Sequence, residues 1–271
     1  MITLNPKRRF KFPIEAKNIS PDIFTKKSTE EIAALEVWEG NRKKTLGDLF
    51  TIKDDGSSAS EELTIKIEGD VRKLRNVGFG MTMGQVIVDG NVGMHLGEEM
   101  SGGTITVAGN AGSWAGSKMK GGTIEIKGNA GDYIGASYRG STEGMKGGKI
   151  IIHGDAGYEV GCFMRDGLIK ILGDIGLFAG IHMSNGTIFV QGNSEGRAGA
   201  QMTNGKIVIT GQTSVMPTFT IDSIKSKTKV DKEKVEGPFY RFIGDTADNG
   251  KGKLLVSKTR NPHLSSYEEY L

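Results

Sequence analysis

Residues 90–127 read GNVGMHLGEEMSGGTITVA (Gly90 to Ala108) and then GNAGSWAGSKMKGGTIEIK (Gly109 to Lys127), two copies of one 19-residue unit laid end to end. Written as a pattern, the unit is G-N/D-x-G-x-x-x-G-x-x-M-x-x-G-x-I-x-I/V-x, and it returns in Gly173 to Gln191 and in Gly192 to Thr210. The opening glycines are Gly69, Gly90, Gly109, Gly128, Gly154, Gly173 and Gly192, with Gly211 starting an unfinished copy, so the spacings are 21, 19, 19, 26, 19, 19 and 19. A fixed period of about 20 residues marks a stacked repeat architecture. The 26-residue unit is an ordinary one carrying seven extra residues within Ala136 to Gly144, because Met145 and the pair Ile150/Ile152 fall back into step after it.

Each unit holds one strand signal, two apolar residues flanking a third position: Val86/Val88, Ile105/Val107, Ile124/Ile126, Ile150/Ile152, Ile169/Ile171, Ile188/Val190 and Ile207/Ile209. Alternation at period two sends both members of a pair to one face. Stacked in register, with strands about 4.8 Å apart, the pairs build two inward ladders of branched side chains. The expected fold is therefore all-β, a parallel β-solenoid (β-helix) of about seven 19-residue repeats.

Met81, Met100, Met119, Met145, Met164, Met183 and Met202 occupy one repeat position. A methionine column raises soft-metal ligation, but an unbranched side chain filling an irregular core is the reading its recurrence favours. The glycines mark sharp turns, where positive φ or close backbone approach is needed. The Gly-Asn and Gly-Asp steps at Gly90-Asn91, Gly109-Asn110, Gly154-Asp155 and Gly173-Asp174 fit tight turns whose side chains can stack as corner ladders. No helix pattern follows the glycines, which argues against a phosphate cradle.

The chain of 271 residues has a small formal net charge of +3, with Lys and Arg scattered along it rather than aligned with aromatic residues, so nucleic acid is not an expected partner. Cys162 is the only cysteine, which excludes an internal disulfide and an iron–sulfur cluster held by this chain alone. No apolar stretch is long enough to span a membrane, and a soluble, cytoplasmic protein is expected.

Three regions follow from composition: an N-terminal capping segment (1–63), the repeats (64–211) and a C-terminal capping or docking segment (212–271). The first carries Pro6, Pro13 and Pro21 and a capping-box signal at Ser28 to Glu31. An uncovered end of such a stack exposes backbone groups, so both flanks are expected to act as caps. In GPFYRFIG, Phe239 and Tyr240 either fold back on the core or dock on a partner. The outward position of each strand reads Ile87, Thr106, Glu125, Ile151, Lys170, Phe189 and Val208, too apolar for a solvated face, so a flank or another subunit must cover part of it.

Catalytic chemistry is hard to place. His95 and His182 sit several units apart, too far to share a metal; Glu125 and Glu159 are single carboxylates, Glu98/Glu99 an adjacent pair; no Ser/His/Asp or Cys/His set stands out. No catalytic, cofactor or metal residue is assigned. The inserted segment 136–144 opens the repeat at one place, and insertions of this kind become loops on one face. Tyr138 and Arg139 there are the side chains expected at an interface, alongside Phe239 and Tyr240; a solvated bulge is the plain alternative.

With these features in hand, the chain resembles the C subunit of formylmethanofuran dehydrogenase, most closely in GNVGMHLGEEMSGGTITVAGN (Gly90 to Asn110), GNAGDYIGASYRGSTEGMKGGKIIIHGDAG (Gly128 to Gly157) and VWEGNRKKTLGDLF (Val37 to Phe50). More distantly it is similar to the C-terminal β-helix domain of glutamate synthase large subunits. The resemblance implies a right-handed β-helix acting as a non-catalytic structural subunit. It would sit inside an oxidoreductase complex that reduces CO2 and attaches it as a formyl group to methanofuran, in the first step of methanogenesis from CO2. It also implies that a tungsten or molybdenum pterin, iron–sulfur clusters and a binuclear metal site lie in other subunits (pterin-metal, amidohydrolase-like and ferredoxin-like), with none in this chain. The alternatives are the corresponding subunit of a formyltransferase/hydrolase complex, or a stand-alone carbohydrate-acting β-helix, which should carry a secretion signal and clustered acids. One departure is Glu195, standing where the unit's second glycine belongs, with Gly196 after it, so that turn is expected to be reshaped.

Overall fold

A computed structural model describes residues 1–56 and 62–271 of the chain; residues 57–61, at the end of the N-terminal segment, lie outside the described part. Strand β1 (Ile2–Pro6) starts the chain, followed by β2 (Ile14–Glu15) and two short helices, α1 (Pro21–Phe24) and α2 (Thr29–Ala33). The Ser28 hydroxyl accepts from the Glu31 N–H while the Glu31 carboxylate accepts from the Ser28 N–H, so α2 begins with the capping box that its sequence spells. Strands β3 (Glu36–Glu39) and β4 (Arg42–Thr45), helix α3 (Leu46–Leu49) and β5 (Phe50–Asp54) complete this part.

The repeats supply β6 (Thr64–Ile67), β7 (Leu74–Arg75), β8 (Gln85–Val88), β9 (Thr104–Val107), β10 (Thr123–Ile126), β11 (Lys146–Ile152), β12 (Asp166–Ile171), β13 (Thr187–Val190) and β14 (Lys206–Ile209). The C-terminal region adds β15 (Thr220–Val230), β16 (Glu233–Gly244) and β17 (Gly252–Ser257). Among the described residues, thirteen strands form one sheet in the order β15-β16-β17-β14-β13-β12-β11-β10-β9-β8-β6-β1-β5, and β4-β3-β2-β7 form a smaller one.

From β1 through β6, β8–β14 and β17 the large sheet is parallel, and its register follows the sequence period. Val86 pairs with Ile105, Ile105 with Ile124 and Ile124 with Ile150, so the insertion is absorbed without a slip. The expected inward pairs are all fully buried, as are the seven methionines of the column. A second line of parallel contacts links Val71, Val92, Ala111 and Ala130, and another links Ala156, Ile175 and Ser194.

The corner ladder is present. Asn91 Oδ1 accepts the Asn110 N–H at 2.8 Å, Asn110 Oδ1 that of Asn129 at 2.7 Å, and Asn129 Oδ1 that of Asp155 at 2.9 Å. Asp155, Asp174 and Asn193 continue it to the Gln212 N–H. Each rung satisfies a backbone donor that the turn would otherwise leave open. At the last full unit Gly196 takes φ +114°, a reshaping where Glu195 replaces glycine, yet the Gly196 carbonyl still receives the Phe178 N–H at 3.2 Å.

The flanks are less irregular than their composition suggests. Ile2/Leu4 of β1 and Leu254/Val256 of β17, all fully buried, extend the inward ladders at the two ends. These strands are hard to see in sequence because neither belongs to a repeat. The charged stretch 225–234 forms a long antiparallel hairpin, β15 with β16, turning at Asp231 and Lys232. Its far half lies over the outward face, where Val230, Phe239 and the partly buried Val235 pack on Leu168, Phe189, Val208 and Leu255. Lys149–Asp231 and Lys170–Glu233 ion pairs at 2.5 and 2.7 Å edge the contact. The cover required by the apolar outward positions is thus supplied, over β12–β14, by the chain itself.

Candidate functional site: an aromatic corner closed by the inserted loop

The sixth residue of each unit from Gly90 on, and Asn76 as its counterpart in the longer first unit, sits in left-handed backbone: Asn76, His95, Trp114, Tyr133, Glu159, Phe178 and Arg197 have φ between 54° and 67°. Such a conformation costs a non-glycine residue about 1–3 kcal/mol and persists only where its surroundings hold it. From Asn76 to Phe178 the N–H of each position is held by the next unit, as from His95 to the Ser113 carbonyl at 3.0 Å and from Tyr133 to that of Tyr158 at 2.8 Å. The side chains therefore stand above one another along the stack. His95 lies parallel to Trp114 at 5.4 Å between ring centres, and Trp114 to Tyr133 at 4.6 Å. A neighbouring column pairs Phe163 with His182 at 4.4 Å, and the Arg197 guanidinium lies 5.3 Å from the Phe178 ring.

The inserted residues close this corner. Gly135 and Met145 keep the hydrogen bond that Gly116 and Met119 make in a regular unit, at 2.8 Å against 3.1 Å, so the loop leaves and returns through an intact turn. The Tyr138 ring comes to 5.4 Å from His95 and 5.5 Å from Trp114. Trp114 is 8% exposed, and its Nε1–H finds no acceptor among the described residues. Glu143 anchors the far end of the loop to Lys146 at 3.1 Å and Arg165 at 3.8 Å.

Of the four side chains proposed as interface anchors, Tyr138 is 45% exposed and Arg139 is exposed beside it. Phe239 and Tyr240 are each 1% exposed, and so take the fold-back reading of GPFYRFIG. Burial first, then a hydrogen bond to Glu268, pushes the Tyr240 hydroxyl up to about 12, while that bond and the Lys258 ammonium hold the Glu268 carboxyl below its ordinary range.

Other titratable groups are engaged in structure. Cys162 is a free, buried thiol that burial raises to about 12, far from the thiolate character of a nucleophile. Glu125, read from sequence as a lone carboxylate, gathers Lys127 and His153 on the outward face, with His153 Nε2 at 2.8 Å, and is held below its usual range by hydrogen bonds from both. His95 Nδ1 lies 3.2 Å from Glu98 Oε2. Among the described residues no group of three or more His, Cys, Asp and Glu side chains is placed to hold a metal ion, and no helix is long and apolar enough to cross a membrane. The aromatic columns escaped the sequence reading although the signal was there, in His95, Trp114 and Tyr133 at 19-residue spacing.

Fold and site together define an all-β repeat protein whose recurring positions are occupied by packing and whose distinctive surface is one stacked corner. No family model matches the chain. The C subunit of a tungsten-containing formylmethanofuran dehydrogenase from Methanothermobacter wolfeii is 43% identical over 96 residues, 35% of this chain and 36% of that protein. The C subunit of a molybdenum-containing form from Methanothermobacter marburgensis is 43% identical over 94 residues, 35% of this chain and 23% of that protein. These alignments span about a third or less of the relatives' own length. A chain in the crystal structure of the formyltransferase/hydrolase complex (FhcABCD) from Methylorubrum extorquens, in complex with methylofuran, superposes with a TM-score of 0.83 at 32% identity, covering 94% of this chain and 99% of that one. The chain belongs to the family of formylmethanofuran dehydrogenase C subunits.

Proposed function

We propose that this chain is the non-catalytic structural subunit of a formylmethanofuran dehydrogenase complex, which reduces CO2 and attaches it as a formyl group to methanofuran. The observation that carries this reading is how the recurring residues are used. The Ile/Val pairs and methionines fill the core, the Asn/Asp side chains bond the units together, and the glycines sit at the turns. The 43% identity to the C subunits of tungsten and molybdenum enzymes supplies the chemistry of the assembly.

In this reading the repeats wind as a right-handed parallel β-helix in the cytoplasm, supported by two lines of parallel contact per unit, one through the strands and one through Val92, Ala111 and Ala130. The pterin-held metal, the iron–sulfur clusters and the binuclear site belong to the partner subunits. The side chains of this chain's described residues do not fit such groups, since the single thiol is buried and protonated and no ligand cluster accompanies it.

A second reading, the equivalent subunit of a formyltransferase/hydrolase complex, is favoured by the near-complete superposition on a chain of that assembly. Affinity purification of the tagged protein from its own host, with metal analysis and identification of co-purifying chains, separates the two. Tungsten or molybdenum with abundant iron and several larger subunits supports the dehydrogenase; partner subunits without redox metals point to the transferase/hydrolase; a lone chain that cleaves polysaccharide sinks both.

A further inference from the structure

Two cavities adjoin near the start of the chain, with volumes of about 840 and 520 Å³ and Arg8 lining both. The first lies between the end of β1, residues 8–10 and the turn at 68–73; the second lies between residues 8–12, the β3–β4 turn and Lys44. Their walls hold seven cations and three carboxylates, an excess larger than the +3 of the whole chain, so the rest of the surface is close to neutral. Arg8 and Arg72 are taken by Glu39 and Asp70. Arg9, Lys11, Arg42, Lys44 and Lys73 make no ion pair among the described residues.

The placement of these charges follows from strand register. Arg42 stands opposite Glu39 and Lys44 opposite Val37, both buried, so the two cations share the inner face of β4, where the cavity lies. Lys43, opposite Trp38, points the other way and pairs with Glu36 at 2.7 Å. Phe12, 59% exposed, lines the second cavity. Glu39, 7% exposed, gives one oxygen to Arg8 at 2.7 Å and has no hydrogen-bond partner for the other. Among the described residues strand β4 has a neighbour on one side only.

We propose that the two cavities form one basic groove that binds an extended acidic polypeptide segment of a partner subunit. The proposal rests on the subunit reading above for the identity of the partner, not for the groove itself. The cations are distributed along two cavities rather than converging, which suits a chain bearing several carboxylates better than one small anion. The three carboxylates among them oppose a uniformly charged phosphate backbone but accept from the N–H groups a polypeptide carries. Phe12 offers an apolar contact between the charges.

The test uses the full chain and a fluorescein-labelled heptapeptide of alternating Glu and Val, capped at both ends, with its Gln counterpart as control. Anisotropy should show binding of the Glu peptide that weakens about tenfold between low and physiological salt. Arg42→Gln with Lys44→Gln, and separately Arg9→Gln with Lys73→Gln, should each weaken it about fivefold or more, while Lys43→Gln on the opposite face leaves it unchanged. Equal binding of the Gln peptide, or no loss in either double variant, overturns the proposal. A single-stranded oligonucleotide that outcompetes the Glu peptide overturns it in favour of nucleic acid. Recovery of partner chains by the wild-type protein from its host reads the subunit assignment separately, so each can fail without the other.

Discussion

At Gly116 the backbone takes φ +66°, and a Cβ built there would stand 2.3 Å from Ile150 Cδ1 of the next unit's strand. Backbone conformation and inward ladder therefore demand glycine together. Gly116→Ala should cost about 2–4 kcal/mol, combining left-handed strain with overpacking; urea unfolding measures it, a loss of about 1 kcal/mol would mean that Ile150 moves aside and only the strain remains, and a loss of only a few tenths would contradict both causes. Asp22 carries a different kind of constraint. Burial opposes its ionisation, but hydrogen bonds from the Thr82 hydroxyl and N–H and from Ser20 outweigh it, so its carboxyl lies below the ordinary range. A lowered carboxyl stabilises the fold above its unfolded pKa of about 3.9 and loses that contribution as pH falls through the folded value. Wild type should therefore exceed Asp22→Asn in urea midpoint at about pH 6, and the gap should close in acid; a pH-independent gap would show that the charge is not the cause.

The hairpin of β15 and β16 is held by two kinds of contact whose weights differ. Its ion pairs to Lys149 and Lys170 join partly exposed groups, and such pairs give about 0.2–1 kcal/mol each. Phe239, 1% exposed against Val208 and Leu255, is a core side chain, and Phe→Ala in a core costs about 3–5 kcal/mol. Phe239→Ala should thus free the far half of the hairpin, seen as lost amide protection across 227–236 while the part of β16 paired with β17 stays protected, whereas Lys149→Gln with Lys170→Gln should leave it docked. The reverse ranking would mean that charge, not apolar burial, seats the hairpin. That an apolar outward stripe at Phe189 and Val208 needed a cover was legible in the alternation. Which segment supplied it was not, because nothing in 220–244 shares the repeat and its docking depends on contacts across long sequence separation.

Across the whole molecule each unit meets chiefly the units before and after it, the condition under which repeat proteins behave as nearest-neighbour stacks. Deleting residues 173–191 removes one full period and joins Asp155 to Asn193, each already a rung of the same ladder. The shortened chain should fold, with a strand-rich circular dichroism spectrum and a cooperative melt. Deleting about half a unit should not, because a register that breaks the period turns core residues outward. Equal tolerance of the two deletions would contradict an in-register stack.

The period, the inward pairs, the methionine column and the corner ladder were legible in the sequence alone because each is a local pattern repeated at fixed spacing. Stacking adds only the instruction to keep register, and in-register pairing follows from burying the same face in every unit. Tertiary structure decided what no period constrains. It set β1 and β17 at the ends of the sheet, laid the hairpin over β12–β14, brought Tyr138 back onto His95 and Trp114, and gathered Arg8, Arg42 and Lys73 around one groove. Those residues are distant in sequence and differ in kind, and only the closing of long loops onto a finished stack brings them together.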